Sequence, residues 1–301
     1  KRWESLNARF EVQTAALASE HETLRTMVAT TQQAALSLKR EVERLLVSQA
    51  AAHGPSQAVV APTPSHAATP SLDAYKYVGF EDLFRGSRDV IRKRLESYLP
   101  IFAGASDVLD VGCGRGEFLE LLARADIGAR GIDVNHEMVE QCRARGLDVV
   151  EADAVGYLTA LPDAALGGIF AAQVVEHFQP AYLLRFLELA YHRLRPGSAI
   201  VLETLNPACW AAFFDSYIRD ITHAWPLHPD TLKYLVLASG FSRAEVEYSS
   251  PVLPEDRLQA VASPEGIAPV VSDLIETFNE NVEKLNARLF TFMDYAIVAR
   301  R

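Results

Sequence analysis

At 301 residues, with 49% hydrophobic and 23% charged side chains, the chain has room for one packed domain plus an appendage and lies outside disordered or collagen-like composition. A formal charge of −10 and a pI near 5.3 exclude a large phosphate-tracking surface, so nucleic acid is not an expected partner. No run of about eighteen apolar residues and no basic-then-apolar leader occurs, and Cys113, Cys142 and Cys209 lack zinc-like spacing, so a cytoplasmic setting is expected, peripheral to the inner membrane only through partners.

In chain order, residues 1–48 come first. From Trp3 to Leu46 there is no Gly or Pro, and Ala, Glu, Leu, Arg and Gln dominate, which predicts one long helix. Trp3, Phe10, Leu17, Leu24, Thr31, Leu38 and Leu45 recur every seven residues, with a weaker, partly polar row four positions further on. A sustained seven-residue repeat drifts off a straight helical face, so it predicts a coiled coil that joins copies of the chain or spaces it from a partner. The competing reading is an amphipathic helix packed on its own domain. Residues 49–74 then turn to Ala, Pro, Ser, Thr and His, with prolines at 55, 62, 64 and 70, and read as a linker.

From 75 to 301 the texture is α/β. Apolar runs at 107–112, 129–134, 148–153, 166–175 and 198–204 alternate with the helical stretches GEFLELLARAD, NHEMVEQCRARG, AYLLRFLELAYHRLRPG and HPDTLKYLVLASG, the LRPG ending being read as a turn before the fifth strand. Strands each followed by a helix imply right-handed crossovers and a mostly parallel sheet covered on both faces. Two further strands, at 243–249 and 292–300, break this rhythm around a helix-rich insertion at 264–289.

The most specific segment is Val108-Leu-Asp110-Val-Gly112-Cys113-Gly114-Arg-Gly116-Glu117-Phe118, a buried strand ending in a glycine turn that opens directly into a helix. That is the ligand-binding crevice of an open α/β sheet. A dinucleotide fingerprint wants GxGxxG, and this loop reads GCGRG followed by Glu and Phe. With an acidic residue two before its first glycine, the loop instead resembles the first motif of class I S-adenosylmethionine-dependent methyltransferases.

Other residues fall where that family places its motifs. Asp133-Val134 ends the second strand, Asp153-Ala154 the third, and Gln173 the fourth. The resemblance implies a seven-stranded Rossmann-like sheet with helices on both faces, S-adenosylmethionine as cofactor, and a cofactor site of Arg85, Asp110, Gly112, Cys113, Gly114, Gly116, Asp133, Val134, Asp153, Ala154 and Gln173. In it Asp133 would accept the ribose hydroxyls, Asp153 would meet the adenine amine, and Arg85 would pair the cofactor's carboxylate. Each has a plainer reading beside it: Asp133 as a helix cap, Asp153 as a turn closer, Arg85 as a solvated helix start.

For the acceptor, Glu176-His177 follows the fourth strand and His223 lies in THAWPLHP; these three are the candidate catalytic residues, with a histidine as general base for a hydroxyl. Related methyltransferases with a Glu-x-x-Glu-His pattern hold a divalent metal with a further histidine, but Gln173 occupies the first Glu's place, so no metal is assigned. Asn206, Trp225 and His228 are candidate acceptor contacts, with Glu203 a weaker one; His228-Pro229 equally reads as a helix start. GFEDLFRGS at 79–87, ETLNP and THAWPLHPDTL resemble methyltransferases that accompany glycan assembly. That resemblance implies a sugar hydroxyl of a surface polysaccharide or glycan precursor as acceptor and a glycosyltransferase as a partner. A small-molecule methyltransferase and a non-catalytic cofactor-binding scaffold are the alternatives.

Overall fold

The computed structural model describes residues 87–301. The heptad segment 1–48, the linker 49–74 and Arg85 lie outside the described residues. Seven strands form one sheet: β1 (Val108–Val111), β2 (Ala129–Asp133), β3 (Val149–Glu151), β4 (Leu166–Ala172), β5 (Leu194–Leu205), β6 (Ser242–Pro251) and β7 (Phe292–Arg300), in the order β3-β2-β1-β4-β5-β7-β6. β1 to β5 are parallel neighbours, and β7 runs antiparallel between β5 and β6. The helices are α1 (Arg88–Leu95), α2 (Glu117–Arg124), α3 (His136–Arg143), α4 (Ala154–Ala160), α5 (Pro180–Arg193), α6 (Pro229–Ala238) and α7 (Pro269–Leu289), with a π-helical turn at Ala212–Tyr217. None of them is long and apolar enough to cross a membrane.

Alternation along the strands divides the core into two layers. Ile169 and Ala171 of β4 join Leu183, Phe186, Leu187 and Ala190 of α5 and Leu232 and Val236 of α6 on one face. Phe170 and Ala172 face the other way, onto Leu95, Tyr98, Phe102, Phe118 and Leu122. There the rings of Phe118 and Phe170 stack at 3.8 Å between centroids. The spacing Leu183, Phe186, Leu187, Ala190 is what makes α5 a helix with one buried stripe, and Pro180 in its first turn suits a start where the backbone N–H has no partner.

Two predicted boundaries change. Leu194-Arg-Pro-Gly197 is part of β5 rather than a turn before it: Leu166 of β4 pairs with Leu194 and Gly168 with Ala199, so the intervening residues bulge out of the ladder, with Gly197 at φ 81°. Helix α4 escapes sequence reading because it is seven residues long and carries Gly156, a poor helix former.

A buried polar cluster joins α1 to the ends of β4, β5 and β7. Arg94 reaches Glu203 (3.1 Å) and Asp294 (3.2 Å), Tyr98 donates to Glu203 (2.7 Å), and the Gln173 amide donates to Asp294 (3.0 Å) and Glu203 (3.4 Å). Burial pushes the Glu203 carboxyl above its ordinary value; Arg94 opposes this and Asp294 adds to it. The folded state therefore binds that proton more tightly than the unfolded chain. The stability Glu203 contributes is greatest below the ordinary carboxylate value of 4.5 and is lost as pH rises through the raised native value. Glu203→Gln cannot titrate, so the Tm of the wild type relative to this variant should fall as pH rises from the acid side toward neutrality. A Tm difference that grows in the wild type's favour over that range would contradict the assignment.

Candidate active site

The carboxyl ends of β1, β2, β3 and β4 open onto a cavity of about 270 Å³ lined by Gly112, Gly114, Asp133, Val134, Ala152, Ala154, Gln173, His177, Phe178, Tyr182 and Thr222, among others. The loop after β1 is held against β2, because the Gly112 and Cys113 N–H groups both donate to the Ile132 carbonyl (2.8 and 3.1 Å). Gly112 has φ 64°, and a Cβ there would stand 2.4 Å from Cγ2 of Val174, so turn geometry and close packing both require glycine.

Asp133 anchors this loop as well as bordering the cavity. Its Oδ2 accepts from the Gly114 N–H (2.9 Å) and its Oδ1 from the Asn135 N–H (2.8 Å), which leads into the Asn135-capped α3. Val134 beside it, Ala152 and Ala154 across from it, Phe178 just before α5 and Tyr182 in its first turn provide apolar walls. This is a slot with one acidic side chain at its rim, suited to a nucleoside whose base lies between apolar walls and whose ribose hydroxyls meet a carboxylate.

Other sequence candidates sit differently. Asp153 is the N-cap of α4: its carboxylate accepts from the Gly156 N–H (3.0 Å) and the Tyr182 hydroxyl (2.8 Å), while its neighbours Ala152 and Ala154 line the cavity. Burial, first, and Asp153 push the Tyr182 hydroxyl up to about 12. Asp110 is buried in β1, and Cys113 packs with Leu119, Val139, Cys142 and Val149 behind the loop. Gly116 begins α2 in a left-handed conformation. Gln173, itself at φ 58°, borders the cavity while its amide points into the Arg94 cluster.

The histidine side of the cavity is held by one clamp. The Glu176 carbonyl accepts from the N–H groups of Ala224 (2.8 Å) and Trp225 (3.3 Å), which ties the loop after β4 to the segment after the π-helical turn. The His177 and His223 rings thereby lie 4.8 Å apart between centroids. Their protonation follows from their partners. His223 Nδ1 faces the Tyr217 carbonyl at 2.7 Å, and a carbonyl only accepts, so Nδ1 carries the proton. Thr222 Oγ1 gives its hydrogen to Asp220 (2.6 Å) and so accepts from His177 Nδ1 at 3.0 Å. With Nδ1 as the donor, the neutral form of each ring carries its lone pair on Nε2. Glu176, His177 and His223 are, among the described residues, the one group whose metal-ligand atoms converge, all within 4.8 Å of one another, although sequence reasoning had assigned no metal to them.

Asn206 is a structural tie: its amide donates to the Phe292 carbonyl (2.9 Å) and its Oδ1 accepts from the Ala208 N–H (3.1 Å). Glu203 belongs to the buried cluster. His228 caps α6 ahead of Pro229, its Nδ1 accepting from the Asp230 N–H at 3.2 Å, which is the helix-start alternative. Trp225 is exposed. Sequence reading missed Phe178, Tyr182, Asp220 and Thr222. The first two look like ordinary helix core residues, whereas Asp220-Ile-Thr222 carried a visible signal, an acidic and a hydroxyl residue just before His223.

Comparison with known proteins agrees with this geometry. A family model described as methionine biosynthesis protein MetW matches residues 92–196. A S-adenosylmethionine-dependent methyltransferase from Archaeoglobus fulgidus, of known crystal structure, is 40% identical, with 75% of this chain and 99% of that one covered at a TM-score of 0.69. A ubiquinone biosynthesis O-methyltransferase from Xylella fastidiosa is 32% identical over 124 residues, and a probable S-adenosylmethionine-dependent methyltransferase from Mycolicibacterium smegmatis 28% identical over 137. The chain spans about half the length of these last two relatives.

The seven-stranded mixed sheet with flanking helices is a Rossmann-like α/β domain of the methyltransferase type. The chain belongs to the S-adenosylmethionine-dependent methyltransferases, and S-adenosylmethionine is its cofactor. The residues present fit that cofactor: a glycine turn that a Cβ would fill, the Asp133 carboxylate at the rim, and apolar walls on either side. Replacing Asp133 by Ala should weaken cofactor binding by roughly ten- to a hundredfold, as expected for losing hydrogen bonds to an ionised group. Titration calorimetry that gives the same affinity for Asp133→Ala as for the wild type would remove Asp133 from the site.

Proposed function

We propose that this protein transfers a methyl group from S-adenosylmethionine to an acceptor hydroxyl, with His177 and His223 managing the acceptor's proton. One observation carries the reading: two imidazoles 4.8 Å apart, each with Nδ1 engaged and Nε2 basic, with His177 lining the cofactor cavity and His223 beside it. When bound, the cofactor supplies a methyl already activated on its sulfonium, so orientation and deprotonation are what the chain must add. The apolar walls orient the nucleoside, and the Glu176 carbonyl clamp fixes the separation of the two imidazoles. An alcohol oxygen becomes a competent nucleophile as its proton passes to Nε2 of one histidine, and Asp220, whose Oδ2 lies 3.8 Å from His223 Nε2, stabilises the imidazolium formed there.

The acceptor we propose is a sugar hydroxyl of a surface polysaccharide or its precursor, supported by the resemblance of residues 79–87, ETLNP and THAWPLHPDTL to glycan-associated methyltransferases. A small phenolic acceptor is the second reading, favoured by 32% identity to an enzyme named for O-methylation in ubiquinone biosynthesis. Radiolabelled methyl transfer to sugar, phenol and carboxylate acceptors, each with and without chelator, separates the two and tests whether the Glu176, His177 and His223 trio uses a metal. Cofactor binding without turnover on any of these acceptors would favour a scaffold. Loss of a general base typically costs about 10²- to 10⁴-fold, so His177→Ala or His223→Ala should lower kcat by that order while leaving cofactor affinity unchanged. If both variants kept the wild-type rate, histidine base catalysis would be wrong.

We further propose that residues 1–48 join copies of the chain, and that a glycosyltransferase is among its partners. Sedimentation of the full chain and of residues 49–301 should give a larger particle for the full chain. Equal numbers of copies in both would reject the coiled coil.

A further inference from the structure

The segment between β5 and α6 carries a run of aromatic side chains that neither the cofactor site nor the histidine pair uses. From the catalytic side outward, the His223 ring stacks on Tyr217 (4.6 Å between centroids) and Tyr217 on Phe213 (5.6 Å, interplanar 8°). Phe213 meets Phe214 edge-on (5.2 Å), and Phe214 lies against Trp210 (4.9 Å). The four-residue spacings Phe213–Tyr217 and Trp210–Phe214 place these rings as two adjacent stripes on one short helical stretch with a π-helical turn, a feature common at functional sites. The outer two rings are about half exposed, Trp210 at 50% and Phe214 at 52%.

A second observation points to a ligand at the inner end. The Tyr217 side chain is buried, and its hydroxyl has no hydrogen-bond partner among the described residues. Burial, with the charge of Glu176 adding to it, pushes this hydroxyl up to about 12, so it is a neutral donor at physiological pH. A buried hydroxyl left without a partner costs free energy, and an acceptor group arriving beside His223 would satisfy it.

We propose that this aromatic face is an extended acceptor subsite that holds a chain of sugar units running outward from the reacting hydroxyl, with Tyr217 as its inner polar contact and Phe214 and Trp210 as its outer platform. The inference rests on the saccharide reading above and adds to it that the acceptor is an oligomer rather than a single sugar. Continuity with the reaction site argues for it, since the ladder begins at a ring already in contact with His177. So does composition: the exposed Asp215 follows Phe214 directly and the exposed Arg219 lies five residues on, so the stretch offers polar groups as well as aromatic faces, the mixture a sugar presents in return. The net charge of −10 disfavours a polyphosphate or nucleic-acid chain.

The test uses the full chain saturated with S-adenosylhomocysteine, applied to an array of bacterial-type mono- to hexasaccharides and, separately, titrated with p-dodecylphenol as an apolar-tailed probe. Binding should strengthen with the number of sugar units. Trp210→Ala and Phe214→Ala, both at exposed positions, should each weaken binding of the longer sugars about three- to tenfold, the size expected of one aromatic contact, with no change for the monosaccharide. Tyr217→Phe keeps the ring stack and removes only the hydroxyl, so it should weaken short and long sugars alike while cofactor affinity holds. Absence of binding to every oligosaccharide overturns the proposal, as does equal binding by the Trp210 and Phe214 variants, or a loss confined to p-dodecylphenol. The saccharide reading fails separately, in the radiolabelled transfer assay with S-adenosylmethionine: if a monosaccharide is methylated but length brings no gain in binding, only the extended subsite is wrong, and if no sugar of any length is methylated, the reading beneath it is wrong.

Discussion

Much of this domain depends on the carboxylate of Asp133 accepting the Gly114 and Asn135 N–H groups. A glycine loop has little to hold it in place by itself, since it lacks side chains and loses more conformational freedom on folding than other residues. One carboxylate oxygen at the end of the neighbouring strand ties it down from across the β1–β2 gap, and the other orients the start of α3. The same carboxylate borders the cavity, so the group that shapes the loop is also the charge that a ribose would meet. Loop order and the shape of the cavity rim are thereby coupled through one side chain.

A second constraint lies where the sheet changes direction. β7 runs antiparallel between β5 and β6, which brings Asp294 at the start of β7 alongside Glu203 near the end of β5. Two buried carboxylates so close together are unfavourable unless a cation and hydrogen-bond donors join them. Arg94 from α1, Tyr98 and the Gln173 amide supply those. The cluster pins α1 over the sheet and holds Gln173 in its left-handed conformation at the cavity edge. It therefore stands behind the site although only Gln173 reaches the cavity.

The parallel part of the fold was readable because each strand is a short apolar run and each helix has its own buried stripe, patterns set by local spacing. The places of Asp133 and the glycine turn were readable for a related reason: Asp133 closes β2 and the turn begins directly after β1, and strand ends can be counted. Asp153 shows the limit of that counting. β3 ends at Glu151, two residues before it, and the Asp153 carboxylate is shared between the first turn of α4 and the Tyr182 hydroxyl, because a hydroxyl 29 positions away is brought beside it by the packing of α5. Asn206 and His228 are similar cases, polar residues on promising loops whose hydrogen bonds go to the backbone.

By itself, the sequence determined the alternation of strands and helices, the glycine turn, the acidic residue at the end of β2 and the heptad spacing of residues 1–48, since all of these are matters of local order and periodicity. Only the tertiary structure decided that β7 inserts antiparallel, that Arg94, Glu203 and Asp294 meet, that the rings of His177 and His223 come together, and that the aromatic run from Tyr217 to Trp210 starts at the His223 ring. Residues so far apart in sequence carry no shared local signal. Their meeting depends on the register of a whole sheet and on backbone hydrogen bonds, such as those to the Glu176 carbonyl, that any residue type can make.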